Sequence, residues 1–342
     1  MKLDHDTPAP APRPRGPVPG RDRLNQVRSM KCSRRTVAVG VVGFAGVLLA
    51  LVGCGGSGSS SGGTGALRVT CTTGMINDAV RVIAGEHAEI AGLMGPGVDP
   101  HLYKASEGDL AKLGGAQLIL YNGLNLEGKM ADLFVRMSRT RPTVAVTEGI
   151  PESLLREPPE FLGHYDPHVW FDISMWSHAV ARARDALTEV APAHRDEFRR
   201  NAAAYLDTLR LLDDWVRTEI STIPRERRVL ITAHDAFGYF GRAYDIEVVG
   251  LQGISTVSEF GVADVRRLVD LIARRKIKAV FIESSVPRRA IDAVVEGCRS
   301  RGHAVLVGGT LFSDAMGADG TPEGTYVGMV RANVSMIVAA LR

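Results

Sequence analysis

Two hydrophobic patterns alternate along residues 67–309. Short runs of consecutive apolar and β-branched residues are typical of buried strands, and apolar residues spaced three and four apart are typical of amphipathic helices. The predicted strands are 67–73, 88–94, 117–123, 143–149, 227–234, 277–285 and 303–309, and the predicted helices are 76–85, 107–116, 173–191, 265–276 and 287–302. Such alternation predicts an α/β fold with mainly parallel sheets flanked by helices.

One further predicted helix is much longer than the others. Residues 193–221 contain no Gly or Pro, and apolar side chains, among them Phe198, Leu209 and Val216, recur at helical spacing. At 1.5 Å per residue this helix would span roughly 40 Å, enough to run alongside two lobes. The pattern therefore predicts one α/β lobe over 66–190, a linking helix over 191–222 and a second α/β lobe over 223–342.

The first 53 residues have the pattern of an export signal. Basic residues, including Arg34 and Arg35, precede an apolar run over 37–53, and the quartet LVGC, which ends at Cys54, resembles a bacterial lipobox. We expect cleavage before Cys54 and lipidation of its thiol, which would place the chain on the extracytoplasmic face of the cell membrane. An uncleaved anchor helix is the alternative, but the run is short for a span and contains several glycines.

The residues beside this signal complete the predicted leader. Residues 54–65 are almost entirely Gly and Ser, which is typical of a flexible tether between a membrane surface and a folded body. Met30 directly precedes KCSRRTVAV and offers an alternative start. Cys71 and Cys298 could pair in an oxidising compartment, but they are far apart in sequence, and we expect two buried small residues.

The distribution of charge argues against a nucleic-acid partner. The formal net charge is +3, but nine of the 41 Lys and Arg residues and three of the 38 Asp and Glu residues lie in positions 1–53. The remainder carries 32 basic and 35 acidic residues and is close to neutral. No basic stripe typical of nucleic-acid binding is therefore expected.

The tripeptide DPH occurs twice and presents two histidines in matching settings. His101 lies in MGPGVDPHLYKAS and His168 in FLGHYDPHVWFDIS. Each Pro fixes its own backbone and biases the preceding Asp toward an extended conformation, so that each His projects from a stiff loop. His234 ends a predicted strand and Asp314 follows the last one. All four lie where α/β folds bind ligands.

Three neutral imidazoles and one carboxylate suit a divalent transition metal, Zn²⁺ or Mn²⁺. The spacings match no short zinc motif, so the residues alone leave open whether these histidines converge or are scattered structural residues. Three acidic residues could orient an imidazole through its second nitrogen: Asp99, Asp166 and Glu283. Capping of a turn or of a strand end is the alternative role for each of them.

Seven longer motifs connect these residues to a known family. They are GVDPHLY, LILYNGLNLEGKM, DPHVWFD, RRVLITAHDAFGYFGRAY, GLQGISTVSE, AVFIESSVP and GGTLFSDAMG. Residues 67–342 resemble the metal-binding solute-binding lipoproteins of zinc and manganese ABC importers, in the TroA-like branch. The resemblance implies two lobes joined by a rigid helix, with one metal ion in the cleft between them. Two ligands would come from each lobe: His101, His168, His234 and Asp314.

The resemblance also sets the functional expectation. A protein of this kind captures Zn²⁺ or Mn²⁺ as transported cargo, delivers it to the membrane permease of an ABC importer, and is not an enzyme; we expect a monomer. Zinc-dedicated members often carry a His/Asp-rich loop before the second ligand, and manganese-dedicated members often have Glu where this chain has His234, so the ion stays open. A secreted metal-dependent hydrolase and a surface adhesin are the alternatives, although the chain has neither H-E-x-x-H nor a P-loop.

Overall fold

A computed structural model describes residues 66–161 and 163–342 of the chain. The predicted signal over 1–53, the lipidation site Cys54 and the tether over 54–65 lie outside the described residues. These described residues all belong to one compact unit. Its division into lobes at residues 190 and 222 stays a prediction.

Parallel strands form the centre of the fold. They are β1 Leu67–Cys71, β2 Ala88–Gly92, β3 Leu118–Tyr121, β4 Thr143–Ala145, β5 Val229–His234, β6 Glu247–Gln252, β7 Ala279–Glu283 and β8 Leu306–Leu311. The first four make one sheet in the order β2-β1-β3-β4. The last four make two pairs, β5–β6 and β7–β8, with β5 packed beside β7. Every pairing is parallel, so the α/β prediction is confirmed.

Helices pack on these sheets. They are α1 Gly74–Ala84, α2 Glu107–Gly115, α3 Ala131–Met137, α4 Ile173–Val190, α5 Arg195–Ser221, α6 Gly238–Tyr244, α7 Val262–Arg275, α8 Arg289–Ser300 and α9 Tyr326–Leu341. All predicted strands and helices are present, with ends shifted by a few residues. Four elements were not predicted from the pattern: α3, α6, α9 and β6. The fourth predicted strand ends at Ala145 and continues as a single 3₁₀ turn.

Helix α5 is the predicted long helix. Its 27 residues bury Phe198, Leu209 and Val216 along one face, as the spacing predicts. Near its start the carboxylate of Glu197 lies 2.7 Å from Nε2 of His87, which directly precedes β2. At its last residue the carbonyl of Ser221 accepts from the guanidinium of Arg228, which directly precedes β5. The helix therefore runs from the amino end of the first sheet to the amino end of the β5–β6 pair.

Buried aromatic residues connect the two halves of the chain beneath the predicted site. Trp170 and Tyr326 are fully buried. The hydroxyl of Tyr326 donates to the carbonyl of Trp170 at 2.7 Å, and the indole of Trp170 donates to the carbonyl of Ser313 at 3.0 Å. Aromatic side chains bury a large apolar area, and the polar atoms of these two side chains are both hydrogen-bonded. These contacts fix Asp314, the neighbour of Ser313, against the turn that follows His168.

Smaller sequence features also have clear structural counterparts. Ser106 and Asp109 form a reciprocal capping box at the start of α2. Cys71 on β1 and Cys298 on α8 are both buried, free thiols. Within residues 66–161 and 163–342, no helix is both long and apolar enough to cross a bilayer.

Candidate metal centre

Four side chains from distant parts of the sequence converge on one point. One ligand atom from each lies within 4.8 Å of all the others, and the four residues are His101, His168, His234 and Asp314. The first lies in the loop after β2, and the second caps a 3₁₀ turn just before α4. The third is the last residue of β5, and the fourth follows β8. The structure thus brings together all four residues that the sequence singles out.

The distances between the ligand atoms fit one metal ion. Nε2 of His168 lies 3.3 Å from Nε2 of His101 and 3.4 Å from Oδ1 of Asp314. Nε2 of His234 lies 3.3 Å from Oδ2 of Asp314. A tetrahedron with metal–ligand bonds of about 2.0–2.1 Å has edges of roughly 3.3–3.4 Å, so each of these three distances equals such an edge, although the two to Asp314 involve different oxygens. All four side chains are buried, none being more than 3% exposed.

Two polar atoms at the centre have no hydrogen-bond partner. These are Nε2 of His234 and Oδ1 of Asp314, and neither makes a hydrogen bond within the described part of the chain, although each lies within 3.4 Å of another of the four side chains. A buried polar atom without a partner costs free energy, and native proteins contain few of them. Both atoms belong to the four side chains that converge, so an ion bound between these side chains would satisfy them.

Asp166 orients the imidazole of His168. Its Oδ1 accepts from Nδ1 of His168 at 2.8 Å and from the backbone N–H of the same residue at 3.0 Å. Its Oδ2 accepts from the guanidinium of Arg156 at 2.6 Å. The carboxylate therefore holds the proton on Nδ1 and makes Nε2 the nitrogen that can bind a metal, the arrangement common among metal-binding histidines.

Glu283 has the same role for His234. Its Oε2 accepts from Nδ1 of His234 at 2.5 Å and its Oε1 from the backbone N–H at 2.8 Å. Glu283 ends β7, the strand packed beside β5, and is 4% exposed. The structure thus supports an orienting contact by Glu283, in preference to the simple strand-end role that the sequence left open.

His101 is held differently from the other two histidines. Asp99 accepts from its backbone N–H at 2.8 Å but does not contact the imidazole. The second oxygen of Asp99 accepts from the hydroxyl of Thr256 at 2.6 Å, and Thr256 lies in the segment after β6. No carboxylate approaches Nδ1 of His101 among the described residues, so its ring is fixed by its backbone and by packing.

The electrostatics of the site reflect these contacts. Burial lowers the pKa of His101 to about 3. Burial acts in the same direction on His168, but the carboxylates of Asp166 and Asp314 outweigh it and raise the pKa of His168 to about 9. Glu283 and Asp314 likewise raise the pKa of His234 against the effect of burial. Burial opposes ionisation of Asp314, yet the two imidazoles hold its pKa well below its usual range.

Metal binding should depend on pH in a direction that these values fix. His168, with a pKa of about 9, carries two ring protons at neutral pH, and a metal must displace the one on Nε2. Affinity should therefore fall by about tenfold per pH unit for each proton released as the pH drops from roughly 7.5 to about 5.5. Calorimetric titration with Zn²⁺ across this range measures the slope. An affinity that stays flat would contradict a site with three histidine ligands.

Replacing Glu283 tests its orienting contact. In Glu283→Gln, one of the two oxygens becomes an NH₂ group, which cannot accept from Nδ1 of His234. We expect Zn²⁺ affinity to weaken about 10- to 100-fold, the usual cost of losing such a partner. Competition with a chromogenic chelator measures the change, and Glu296→Gln on the exposed face of α8 is the matched control. An affinity within about twofold of the control would show that the contact is dispensable.

Three other histidines of the described residues have partners of their own away from the centre. His87 contacts Glu197 and stacks on His194 at a ring distance of 3.9 Å, and His303 bonds to the carbonyl of Ile277. Neither group converges with further ligands. The ring of Trp170 meets the ring of His168 edge-on, with 5.3 Å between the ring centres.

Sequence reasoning missed two residues that support the centre. Arg156 reaches Asp166 from a segment with no regular pattern, and Thr256 reaches Asp99 over a separation of 157 residues. No local spacing relates either pair. The glycine-rich stretch GLQGISTVSE, which contains Thr256, was the available signal, but it carried no assignment of its own.

Comparisons with known proteins agree with this geometry. Residues 69–340 match the family model ZnuA, described as the periplasmic zinc-uptake complex component A. The chain is 50% identical over 293 residues to the manganese-binding lipoprotein MntA of Bacillus subtilis (strain 168), covering 86% of this chain and 95% of that protein. It is 52% identical over 275 residues to the zinc-binding protein TroA of Treponema pallidum (strain Nichols), covering 80% and 88%.

A solved structure shares the fold. The periplasmic zinc-binding protein TroA from Treponema pallidum superposes with a TM-score of 0.79 at 51% sequence identity. The likeness covers 81% of this chain and 99% of that one. The described residues therefore have the same architecture as a solved zinc-binding protein.

Proposed function

The chain belongs to the ZnuA family of periplasmic metal-uptake components, and from this premise we propose that it captures a divalent transition metal outside the cytoplasm and delivers it to an ABC-type permease. The cargo is Zn²⁺ or Mn²⁺, bound by His101, His168, His234 and Asp314. The observation that carries the proposal is the convergence of these four buried ligand atoms within 4.8 Å.

The arrangement suits holding an ion better than using it for catalysis. Structural zinc sites take four protein ligands, whereas catalytic sites keep one position open for water or substrate. Here four protein ligands are available and all are buried. We propose that the chain turns over no substrate, against the alternative of a secreted hydrolase. Hydrolysis of a test panel of esters or phosphates that depends on Asp314 would overturn this.

Uptake and release would require the ligands to separate. His101 and His168 come from the first half of the chain, and His234 and Asp314 from the second, so movement between the halves would break the site. We propose that docking on a permease drives this movement. The chain would act as a monomer on the extracytoplasmic face of the membrane, attached through a lipidated Cys54. Its relatives include proteins named as lipoproteins of metal ABC transporters, which supports this placement.

The choice of ion can be resolved by measurement. The Bacillus subtilis relative is named for manganese and the Treponema pallidum relative for zinc, at nearly equal identity. Elemental analysis of protein purified without added metal, combined with Zn²⁺ and Mn²⁺ competition titrations, would identify the preferred ion. Rescue of growth in metal-depleted medium by the wild-type gene, and not by a gene encoding Asp314→Asn, would support uptake. Equal growth with both genes would count against it.

A further inference from the structure

One end of the molecule carries a group of exposed cations. They lie at the amino end of β5, at the end of α7 and at the amino end of β7, far from the metal centre at the carboxyl ends of the same strands. We call this group the basic end: Arg225, Arg227, Arg274, Arg275, Lys276 and Lys278. All six side chains are exposed. No role in metal capture accounts for them.

Carboxylates neutralise only part of this charge. Arg225 pairs with Asp245 at 3.0 Å, and Arg275 pairs with Glu247 at 2.6 Å. Arg274, Lys276 and Lys278 make no ion pair within the described residues, whereas Arg227 donates to the backbone oxygen of Arg342. The chain after position 53 has slightly more acidic than basic residues. The basic end is therefore a local excess of positive charge, whereas residues 54–342 as a whole have no excess of basic residues.

An exposed apolar side chain lies among these cations. Leu306, the first residue of β8, is 69% exposed, and its backbone N–H donates to the carbonyl of Lys278 at 2.8 Å. A cavity beside the lysines is lined by the apolar side chains of Val229, Ile277 and Leu341 and by one carboxylate, that of Glu226. Cations around an exposed leucine are typical of surfaces that rest in the headgroup region of an anionic bilayer.

The basic end and Leu67, the first strand residue after the predicted tether, lie at opposite ends of α5. The tether would enter at Leu67, whose strand pairs with β2 at Ala88, next to the contact between His87 and the start of α5. The basic end adjoins Ser221, the last residue of α5. A helix of 27 residues separates the two ends by roughly 40 Å. Contact at both ends would lay the molecule lengthwise on the membrane.

We propose that the basic end binds an anionic lipid surface and gives the anchored protein a second membrane contact. The inference rests on the proposed lipid anchor for its biological setting, but lipid binding by the basic end does not require that anchor. Stable attachment commonly combines a lipid chain with a basic patch. Held at both ends, the protein would keep a fixed orientation near its permease, and would not swing on a flexible tether.

Vesicle binding tests the proposal. The chain from residue 54, with Cys54→Ser to remove lipidation, is mixed with vesicles of phosphatidylcholine alone or with an equal part of phosphatidylglycerol. We expect binding only to the anionic vesicles, and its loss at high ionic strength. In the variant R274E/K276E/K278E, affinity should fall at least about 100-fold, because each cation near such a surface contributes roughly fivefold.

A matched control separates this site from general electrostatics. The variant K129E/R136E/R139E reverses three exposed cations before, in and after α3. Its total charge equals that of R274E/K276E/K278E, and we expect it to bind the vesicles like wild type. Leu306→Ser should weaken vesicle binding relative to wild type at both low and moderate salt concentration. Equal losses in both triple variants, or no binding by wild type, would overturn the proposal.

Two further readouts keep the outcomes distinct. Zn²⁺ affinity measured on the same samples should be unchanged in R274E/K276E/K278E, so that lost vesicle binding cannot reflect misfolding. If the wild-type protein binds metal but not vesicles, only the lipid-binding proposal is rejected. If it binds vesicles but not metal, only the proposed function is rejected. Binding to a permease in neutral nanodiscs that needs the same three cations would reassign the surface to a protein partner and overturn the lipid proposal.

Discussion

Asp314→Asn should nearly abolish metal binding while leaving the fold intact. Asp314 is the one carboxylate among the four proposed ligands, and its two oxygens lie 3.4 Å from Nε2 of His168 and 3.3 Å from Nε2 of His234. The change keeps the size of the side chain but removes the negative charge that a buried divalent ion requires. The binding free energy of Zn²⁺ in comparable four-ligand sites is roughly 10–16 kcal/mol. Losing one of the four ligands together with its charge should therefore weaken binding by about three orders of magnitude.

Two measurements check this expectation. Competition titration with Zn²⁺ gives the affinity, and the rise in melting temperature on adding metal gives an independent value, because an ion that binds only the folded state stabilises it. Asp319→Asn is the control, since Asp319 follows closely in sequence but is largely exposed. An affinity within about threefold of wild type in Asp314→Asn would remove this residue from the site.

His168→Ala should weaken metal affinity by roughly two to three orders of magnitude, the share of one ligand among four. His168 is fully buried, and its ring is fixed by Asp166 with Nε2 directed at the centre. Removal of the ring leaves Asp166 paired with Arg156, so we expect no loss of fold. Calorimetric titration with Zn²⁺ and with Mn²⁺ measures the effect.

The control for this variant lies on the adjacent helix. His178→Ala removes an exposed imidazole of α4 and should bind metal like wild type. A reduction of similar size in both variants would indicate a general effect of losing histidine. Wild-type affinity in His168→Ala would make the repeated DPH tripeptide a coincidence.

Much of the site could be predicted because chemistry-bearing residues stand at strand ends. The DPH tripeptides mark His101 and His168 through the stiffness of proline, and His234 directly ends a buried strand. Their convergence with Asp314 did not follow from spacing, because the four residues are separated by 213 positions between the first and the last. That step depended on the family resemblance, and the side-chain geometry now agrees with it.

The contacts that orient the ligands were only partly predictable. Asp166 lies two residues from His168, so its contact was foreseeable, whereas Glu283 reaches His234 from the neighbouring strand over 49 residues. The arginine and threonine that support the two aspartates act over long separations or from irregular segments, where no periodic pattern exists. Local sequence indicates which groups are available, and the tertiary fold decides which of them meet.

The elements that were missed have local explanations. Helices α3 and α6 have seven residues each, too few to establish a helical period. Strand β6 carries the glycine of EVVGLQ, which interrupts its β-branched run. Helix α9 has apolar residues around most of its circumference, because it packs against both β8 and α5, and its amphipathic signal is correspondingly weak.

Locating the ion tests the central claim most directly. Crystals grown with Zn²⁺ or Mn²⁺, with diffraction recorded on both sides of the metal absorption edge, give an anomalous map that shows where the ion lies. We predict one peak per chain, within about 2.0–2.2 Å of Nε2 of His101, His168 and His234 and of a carboxylate oxygen of Asp314. A single strong peak elsewhere, or one that contacts only some of these residues, would contradict the site proposed for this protein.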